Sequence, residues 1–410
     1  MGNHQEQLKK YSKLALEIGI NLQKGQDLAI MATLESRDFV RELVRTAYEE
    51  GAKTVFVDWG DDLVTRIKYD LAPMEAFKEY PMWYAKGFEE MAANGTSFLS
   101  VIAPNPELLK GVNPEKIALA QQTGGKAMKG FSNYIKSGKA RWSIVAVPTE
   151  EWAAKVFPEL NSEEGVEQLW EKIFYITRVD QADPVESWKK HNQALHDRVE
   201  FFNNKQFKSL HYVGPGTDLT IELPDGHLWM GGSTINPDGI SFTPNIPTEE
   251  VFCAPKKSGV NGTVKSTKPL NYGGQLIEGM TFVFENGKIV DYNAESGYDI
   301  LKNLIETDEG SHYLGEIALV PHDSPISNTN LLFYNTLFDE NASCHLAIGS
   351  AYAMNLKDAA DLSDEELEAR GVNTSITHVD FMIGSAELNI DAVTEDGETI
   401  ALFRNGNWAI

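Results

Sequence analysis

The sequence predicts two consecutive domains. Residues 1–205 are expected to form an α/β domain with an open, mostly parallel sheet, and residues 206–410 an α+β domain with a mostly antiparallel, barrel-like sheet. Before residue 205, short apolar runs alternate with segments of helical periodicity, which is the pattern of βαβ units. After Lys208, short alternating segments are separated by Gly, Asn, Asp and Pro, which is typical of antiparallel strands joined by turns.

The first domain begins with an amphipathic helix over about residues 5–22, which Gly25 follows as a stop signal. The apolar run DLAIMAT then predicts a strand, residues 36–50 predict a helix, and KTVFVDW predicts the next strand. Further helices lead to the apolar runs SFLSVIAP and RWSIVAVP. Strands joined through helices by short connections imply parallel pairing. A long helix, VESWKKHNQALHDRVEFFNNKQF, is expected to connect the two domains.

The second domain contains many short segments with strand-like alternation, among them SLHYVG, DLTIELP, TFVFENG, KIVDYNAE and TSITHVDFMIG. Their regular interruption by turn residues predicts hairpins and antiparallel neighbours. This domain is expected to carry the functional site, because the chemically versatile side chains described below are concentrated in it.

Composition and charge restrict the function classes. The chain of 410 residues is long enough for two or three domains. Its formal net charge of −24 disfavours binding to nucleic acid or to an anionic membrane surface. Two cysteines exclude a disulfide framework. The N-terminus lacks an apolar signal core and no apolar run reaches about 18 residues, so we expect a cytoplasmic protein without membrane attachment.

The second domain places acidic and imidazole side chains within or beside apolar segments. An ionised carboxylate is costly to bury unless it is paired or bound to a metal, so this pattern predicts a metal centre. His378 and Asp380 are two residues apart in a strand pattern and therefore leave the same face. The candidate ligands are Glu250, Glu316, Glu340, His345, His378 and Asp380.

Such a mixed carboxylate and imidazole set has the size required by two divalent ions of the Zn, Co or Mn type. Two ions about 3.5 to 4 Å apart can share a bridging water, lower its pKa and stabilise the oxyanion of an attacked carbonyl. Hydrolysis near neutral pH then requires no covalent nucleophile.

Four strings carry a resemblance to a known family. PTEEVF, GEIALV, DENASCHLAIGSAY and THVDFMIG, in this order and spacing, resemble the aminopeptidase T and aminopeptidase S family of dinuclear metallo-aminopeptidases. The resemblance extends over nearly the whole chain, from LAIMATLESRDFVRELVRTAYEEGA to FRNGNW. It implies that the six candidate residues hold two divalent metal ions per subunit, with Glu316 as the bridging, catalytic carboxylate. Tyr352 is implied as a second catalytic residue that donates to the tetrahedral intermediate.

The resemblance further implies a homodimer with the site in the second domain of each subunit. The expected reaction is hydrolysis of N-terminal amino acids from peptides through a metal-bridged water, and the partners are peptides with a free N-terminus. Glu249, next to Glu250, is a candidate for holding the substrate α-ammonium group.

Two other hypotheses remain open at this stage. The first is a small-molecule or ion-binding two-domain protein without catalysis, in which the acidic residues cap loops and bind Ca; the imidazoles disfavour it, because Ca prefers oxygen. The second is a dinuclear phosphoesterase, which shares the metal chemistry but would need a basic or Gly-rich phosphate-binding element that the sequence does not show. Cys253 and Cys344 are expected to be buried thiols rather than ligands.

Overall fold

A computed structural model describes residues 2–272, 275–359 and 362–410. The chain forms two compact units. One comprises the chain up to His191 together with Ser233–Pro247, and the other comprises Asn192–Gly232 and Thr248–Ile410. Among the described residues, no helix is both long enough and apolar enough to span a membrane.

A four-stranded parallel sheet forms the centre of the first unit. Its strands are β1 (Asp27–Thr33), β2 (Thr54–Gly60), β3 (Ser97–Ile102) and β4 (Trp142–Ala146). They lie in the order β2-β1-β3-β4, and each neighbouring pair is parallel. The prediction of a parallel sheet built from alternating strands and helices is therefore confirmed.

The described chain contains nine helices between Gly2 and Lys205. They are α1 (Gly2–Leu14), α2 (Arg37–Glu49), α3 (Asp62–Leu71), α4 (Met82–Ala93), α5 (Pro114–Ala127), α6 (Lys129–Lys136), α7 (Glu150–Val156), α8 (Ser162–Ile176) and α9 (Pro184–Lys205). Helix α1 ends before the predicted residue 22 and continues as a π-helical turn, Ala15–Gly19. The carbonyl groups of Ile18 and Gly19 accept hydrogen bonds from the Thr243 amide instead of continuing the helix.

Seventeen short strands follow in the described residues. They are β5 (Ser209–Gly214), β6 (Thr217–Glu222), β7 (Met230–Gly231), β8 (Thr234–Ile235), β9 (Ser241–Phe242), β10 (Val251–Cys253), β11 (Val260–Lys265), β12 (Leu270–Tyr272), β13 (Gln275–Ile277), β14 (Thr281–Glu285), β15 (Lys288–Asn293), β16 (Leu314–Leu319), β17 (His345–Gly349), β18 (His378–Met382), β19 (Asn389–Val393), β20 (Thr399–Arg404) and β21 (Asn407–Trp408). The helices interspersed with them are α10 (Tyr298–Ile305), α11 (Thr336–Asp339) and α12 (Asp364–Ala369).

Short 3₁₀ turns complete the secondary structure: Leu34–Ser36, Met74–Phe77, Gly310–His312, Ser327–Thr329, Glu340–Ala342 and Ala353–Asn355.

The larger sheet of the second unit has eight strands in the order β15-β14-β11-β6-β5-β19-β20-β21, and its neighbours are antiparallel. This agrees with the predicted antiparallel character. The predicted barrel-like closure is not confirmed, because β15 and β21 lie at opposite edges of the sheet. The unit therefore contains an open sheet with a hydrophobic core. The sequence-based boundary between residues 205 and 206 stays a prediction.

A second sheet of five strands, in the order β18-β17-β16-β10-β7, carries the candidate ligands. All residues of β16 and β17 are buried, so both faces of these strands are covered. Alternate residues such as Ile317, Leu346 and Phe381 are cross-strand partners and pack in the hydrophobic core. Because side chains alternate along a strand, the residues between them project from the opposite face.

Candidate metal centre

Five of the six predicted ligands come from or adjoin one face of the five-stranded sheet. On β16, Glu316 is the cross-strand partner of Ala347, and Ala318 is the partner of His345. On β18, Asp380 also pairs with Ala347. Residues directly opposite in an antiparallel pair share a face, so these acidic and imidazole side chains project to the same side. Glu250 immediately precedes β10, the strand next to β16.

Small residues make room between the ligands. Ala318 and Ala347 lie on the same face as Glu316, and Gly349 is the cross-strand partner of His378. At Gly349, with φ 109°, a Cβ atom would lie 2.3 Å from the carbonyl oxygen of Thr377. Only glycine is accommodated there without a shift of the backbone.

A β-bulge sets the position of Glu316. The register shifts between Leu314 and Glu316, so Gly315 is the additional residue of β16. A Cβ atom on Gly315 would lie 2.3 Å from the carbonyl oxygen of Ser350. Bulges of this kind redirect the following side chain. Here the bulge aligns Glu316 with Asp380 across β17.

His345 is held by its backbone surroundings. Its Nδ1 lies 3.1 Å from the carbonyl oxygen of Ser343, so this nitrogen acts as the donor. The other ring nitrogen, Nε2, lies 3.1 Å from Glu250 Oε2 and 3.6 Å from Glu316 Oε1. The side chain of His345 is 1% exposed. This arrangement, with one nitrogen bonded to a carbonyl and the other facing carboxylates, is typical of histidine ligands.

His378 shows the same arrangement. Its Nδ1 lies 2.7 Å from the carbonyl oxygen of Ser350. Its Nε2 lies 3.8 Å from Glu316 Oε2 and 3.7 Å from Asp380 Oδ1. The two imidazoles therefore approach Glu316 through different carboxylate oxygens.

These side chains form two groups that could each hold a metal ion. One consists of Glu250, Glu316 and His345, and the other of Glu316, His378 and Asp380. Within each group the potential ligand atoms all lie within 4.8 Å of one another. Glu316 is the member that they share.

Glu340 lies beside these groups without belonging to either of them in the described chain. Its Oε1 accepts a hydrogen bond from the side-chain Nδ2 of Asn341 at 3.4 Å, and its side chain borders a cleft together with Asp380. Desolvation and the negative charges of Asp380 and Glu250 raise its pKa well above the usual range. The carboxylate of Glu340 is thus close enough to be influenced electrostatically by its neighbours.

The pKa values of the clustered side chains are shifted in the way expected where carboxylates outnumber imidazoles. Desolvation raises the pKa of Glu316 to about 6, an effect that the neighbouring imidazole of His345 opposes and the charges of Asp380 and Glu250 reinforce. Burial alone would lower the pKa of His345, but the adjacent carboxylates of Glu250 and Glu316 raise it well above its usual value. Burial would also lower the pKa of His378, and the charges of Asp380 and Glu316 raise it. The imidazoles offset only part of the carboxylate charge.

The donor set fits divalent transition metals. Carboxylate oxygens and neutral imidazole nitrogens are the ligands that Zn, Co and Mn accept. Asp380 Oδ1 is buried, and it accepts no hydrogen bond from any residue that the structure describes. A buried carboxylate oxygen of this kind needs a partner. A cation between the two groups would supply it and would relieve the repulsion among the acidic side chains.

Tyr352 lies at the edge of the centre. Its ring centroid is 4.8 Å from that of His378 and 6.4 Å from that of Phe252. Desolvation and the negative charges of Glu316 and Asp380 raise the pKa of Tyr352 well above its usual range. The hydroxyl group therefore keeps its proton at neutral pH and is a hydrogen-bond donor.

The neighbouring residues have structural partners. The Glu249 amide donates to Asn341 Oδ1 at 2.8 Å, and the side chain of Glu249 is buried. Cys253 and Cys344 are free thiols in the hydrophobic core. Neither cysteine belongs to the two groups of potential ligands.

The groups that orient the two histidines could not be identified from the residue types of the sequence. The carbonyl oxygens of Ser343 and Ser350 accept from them, and backbone acceptors leave no signal in the residue types. Asn373 donates to the carbonyl oxygens of Gly310 and Gly349, at 2.7 Å each. It thereby fixes the end of β17, opposite His378.

Carboxylate and imidazole side chains that could hold metal ions lie together on one face of an antiparallel sheet, which is an arrangement typical of metalloenzymes. Comparison with known proteins gives the family. The family model described as thermophilic metalloprotease (M29) matches residues 4–408. The chain therefore belongs to the thermophilic metalloprotease family M29 and is a metallopeptidase.

Relatives of this family are similar over their full length. Aminopeptidase AmpS of Bacillus subtilis is 55% identical over 409 residues, covering 100% of both chains. Aminopeptidase T of Thermus aquaticus is 45% identical over 405 residues, covering 99% of each. The structure of wild-type AmpT from Thermus thermophilus matches with a TM-score of 0.94 and 43% identity, covering 99% of this chain and 100% of that one.

Metal removal is expected to destabilise the protein, because the buried carboxylates then repel each other. After dialysis against a chelator, the melting temperature should fall, and Zn²⁺ or Co²⁺ should restore it. At a free metal concentration 100 times the dissociation constant, metal binding should raise the free energy of unfolding by about 2.7 kcal/mol. The measurement is differential scanning calorimetry of the wild type, of Asp380→Asn and of Asp291→Asn, whose carboxylate is exposed on β15. Asp380→Asn should lose most of the metal response and Asp291→Asn should keep it; equal responses in both variants would contradict the site.

Proposed function

We propose that the protein is a metal-dependent aminopeptidase that hydrolyses N-terminal amino acids from peptides. The observation that carries the proposal is the pair of possible ligand groups, one buried and one partly exposed, that share Glu316. The names of the relatives, aminopeptidases AmpS and T, support the same activity. Residues 206–410 are the proposed β-rich catalytic domain.

Two divalent ions of the Zn, Co or Mn class are the proposed cofactors. Glu250 and His345 would hold one of them, His378 and Asp380 the other, and Glu316 would contribute an oxygen to each. Glu340 completes the proposed ligand set. When bound, such ions supply Lewis-acid polarisation of the scissile carbonyl and a lowered pKa for water.

The residues of the chain have distinct proposed roles. Glu316, placed between the two groups, keeps the reacting centre compact, since each of its oxygens faces a different imidazole. Tyr352, protonated at neutral pH, donates a hydrogen bond to the oxyanion that develops on the attacked carbonyl. The carbonyl groups of Ser343 and Ser350 keep both imidazoles in the orientation in which Nε2 faces the carboxylates.

The proposed substrates are short peptides with a free N-terminus in the cytoplasm. The acidic side chains around the centre favour a positively charged α-ammonium group, and Glu249 is the proposed holder of this group. The net charge of −24 also favours cationic over anionic ligands.

A homodimer is the proposed assembly, and helix α3 supports it. Its residues include no buried side chain. The exposed fractions are 71% for Leu63, 56% for Ile67 and 80% for Leu71. These residues are four apart and therefore form one apolar helix face. An exposed apolar face of this kind marks an interaction surface, and in a symmetric dimer it meets its own copy.

Glu316→Gln should leave a folded protein with little activity. The amide removes one negative charge at the position shared by both groups, so kcat/KM on an aminoacyl chromogenic substrate should fall about 100-fold or more. Circular dichroism checks the fold, and Glu285→Gln, at an exposed carboxylate on β14, is the control. Wild type assayed with an N-blocked substrate should be inactive. Cleavage of the blocked substrate, or full activity of Glu316→Gln, would refute the proposal.

Tyr352→Phe tests the hydroxyl group alone. If this group stabilises only the transition state, kcat should fall about 100-fold while KM changes little. Tyr175→Phe, at a tyrosine with a similar exposed fraction in the first unit, is the matched control. A rise in KM at unchanged kcat would instead assign Tyr352 to substrate binding.

Ile67→Arg should weaken dimerisation by about 2 kcal/mol or more, because a charge would be buried at the centre of an apolar interface. Light scattering coupled to size-exclusion chromatography measures the mass over a dilution series. Val290→Arg, at an exposed residue of β15, serves as the control. A dimer that is unaffected by Ile67→Arg would show that another surface forms the interface.

A further inference from the structure

Tyr352 lies in the connection that follows β17 and not on the sheet itself. The strand ends at Gly349, and Tyr352 directly precedes the 3₁₀ turn Ala353–Asn355. The exposed fraction of Tyr352 is 43%. Connecting segments are generally more mobile than strands. The position of the phenol group therefore depends on the bonds that hold the two ends of this segment.

The N-terminal end of the segment is bonded to the chain that leads into β18. The Ser350 amide donates to the carbonyl oxygen of Thr377 at 2.7 Å. Thr377 directly precedes His378, the first residue of β18. This bond places Tyr352 beside His378, and the centroids of their rings are 4.8 Å apart.

Asn355 holds the C-terminal end of the segment. Its backbone amide donates to the carbonyl oxygen of Tyr352 at 3.0 Å, which closes the 3₁₀ turn. The residue is buried, with 1% exposed. Its side-chain Nδ2 donates to the carbonyl oxygens of Leu228 at 3.1 Å and Phe252 at 3.5 Å. One side chain thus joins the turn after Tyr352 to two other parts of the second unit.

The chain around Leu228 is itself anchored. The Leu228 amide donates back to the carbonyl oxygen of Asn355 at 2.7 Å. The next residue, Trp229, donates through its amide to Asn203 Oδ1 at 2.8 Å and accepts from Asn203 Nδ2 at 3.0 Å. Asn203 belongs to α9, a helix of 22 residues. Asn355 is therefore bonded to a segment that a long helix holds in place.

Phe252 connects Asn355 to the metal-binding groups. It lies on β10, two residues after Glu250, and it is the cross-strand partner of Ala318 on β16. Its ring centroid is 6.4 Å from that of Tyr352. Because the carbonyl group of Phe252 accepts from Asn355, the turn after Tyr352 is attached to the strand that follows Glu250.

We propose that Asn355 is a positioning residue that sets the hydroxyl group of Tyr352 relative to the metal centre. The inference rests on the proposed aminopeptidase activity, in which Tyr352 donates to the developing oxyanion. The side-chain amide of asparagine has two N–H donors, so it can bond to two carbonyl groups at once. Groups that act in catalysis must be held within about 0.5 Å of their productive geometry. Loosening this turn should therefore slow the reaction more than it weakens substrate binding.

The neighbours of Asn355 do not supply an equivalent link. Ala353 carries no polar side chain, and Met354 is 39% exposed. Leu356 packs in a small hydrophobic cluster with Ala254 and Val372, which stabilises the chain beyond the turn. Removal of the Asn355 amide should therefore release the turn next to Tyr352 while the following segment stays packed.

Asn355→Ala tests the link. The change removes both donated bonds, so kcat on a Leu chromogenic substrate should fall about tenfold or more while KM changes less than about twofold. Asn355→Asp, which keeps the size of the side chain but has no N–H donor, should show the same split between kcat and KM. Circular dichroism checks the fold of both variants.

Thr217→Ala is the matched control. Thr217 is also a buried polar residue, with 6% exposed, and its hydroxyl group accepts from a backbone amide, that of Lys265, at 3.2 Å. It lies on β6 of the eight-stranded sheet. Its loss should leave kcat and KM at the wild-type values.

A double-mutant cycle separates positioning from a general loss of stability. If Asn355 acts through Tyr352, adding Asn355→Ala to Tyr352→Phe should change kcat less than about twofold, because the hydroxyl group is already missing. Equal fold losses of kcat in the wild-type and Tyr352→Phe backgrounds would overturn the inference. An unchanged kcat in Asn355→Ala would overturn it as well.

The resonance of the Tyr352 ring gives a readout without turnover. In metal-free protein with isotope-labelled tyrosine rings, the signal missing from Tyr352→Phe identifies Tyr352. This signal should shift or broaden in Asn355→Ala and stay unchanged in Thr217→Ala; an unshifted signal in both variants would contradict the inference. A shifted signal in a protein whose wild type cleaves no substrate with a free N-terminus would refute the proposed function alone and would still support the hold of Asn355 on Tyr352.

Discussion

The structure of the second unit depends on neutralising acidic side chains that are buried together. Glu250 and Glu316 are each less than 10% exposed, and Asp380 lies beside them. The two imidazoles are turned towards these carboxylates by backbone carbonyl groups, but they supply too little positive charge for all of them. Divalent cations are the ordinary solution to this imbalance, because they replace both the lost hydration and the missing countercharge. The same charge density that favours bound cations makes the site suitable for metal-assisted hydrolysis.

Strand alternation allows a charged centre and a hydrophobic core to share one sheet. Ile317 and Leu346 enter the core, while Glu316 and His345 leave the opposite face. Small residues on the metal face and a bulge at Gly315 adjust this regular pattern to the spacing of the ligands. The site therefore lies on a rigid element whose register is strongly specified, since a slip of one residue would place carboxylates in the core.

The site and the cleft beside it use the same supports. Thr267 attaches one wall to the end of β18, and Asp339 fixes the other next to Glu340. One segment that borders the cleft is in this way attached to the strand that carries Asp380. Such preorganisation lowers the ordering cost of binding and suits a site that must hold a carbonyl group in one orientation.

The sequence by itself indicated a parallel sheet followed by antiparallel strands, and five of the six residues that it suggested as ligands lie together in the described structure. Apolar runs between helices predicted the parallel sheet, and spacing in HVD predicted that His378 and Asp380 share a face. Only the tertiary structure decided three features. They are the early end of α1, the open form of the large sheet and the carbonyl groups that orient the histidines. Hydrogen bonds such as Thr243 to Ile18 join distant parts of the chain through backbone atoms, and backbone atoms are the same in every residue type, so no local pattern records them.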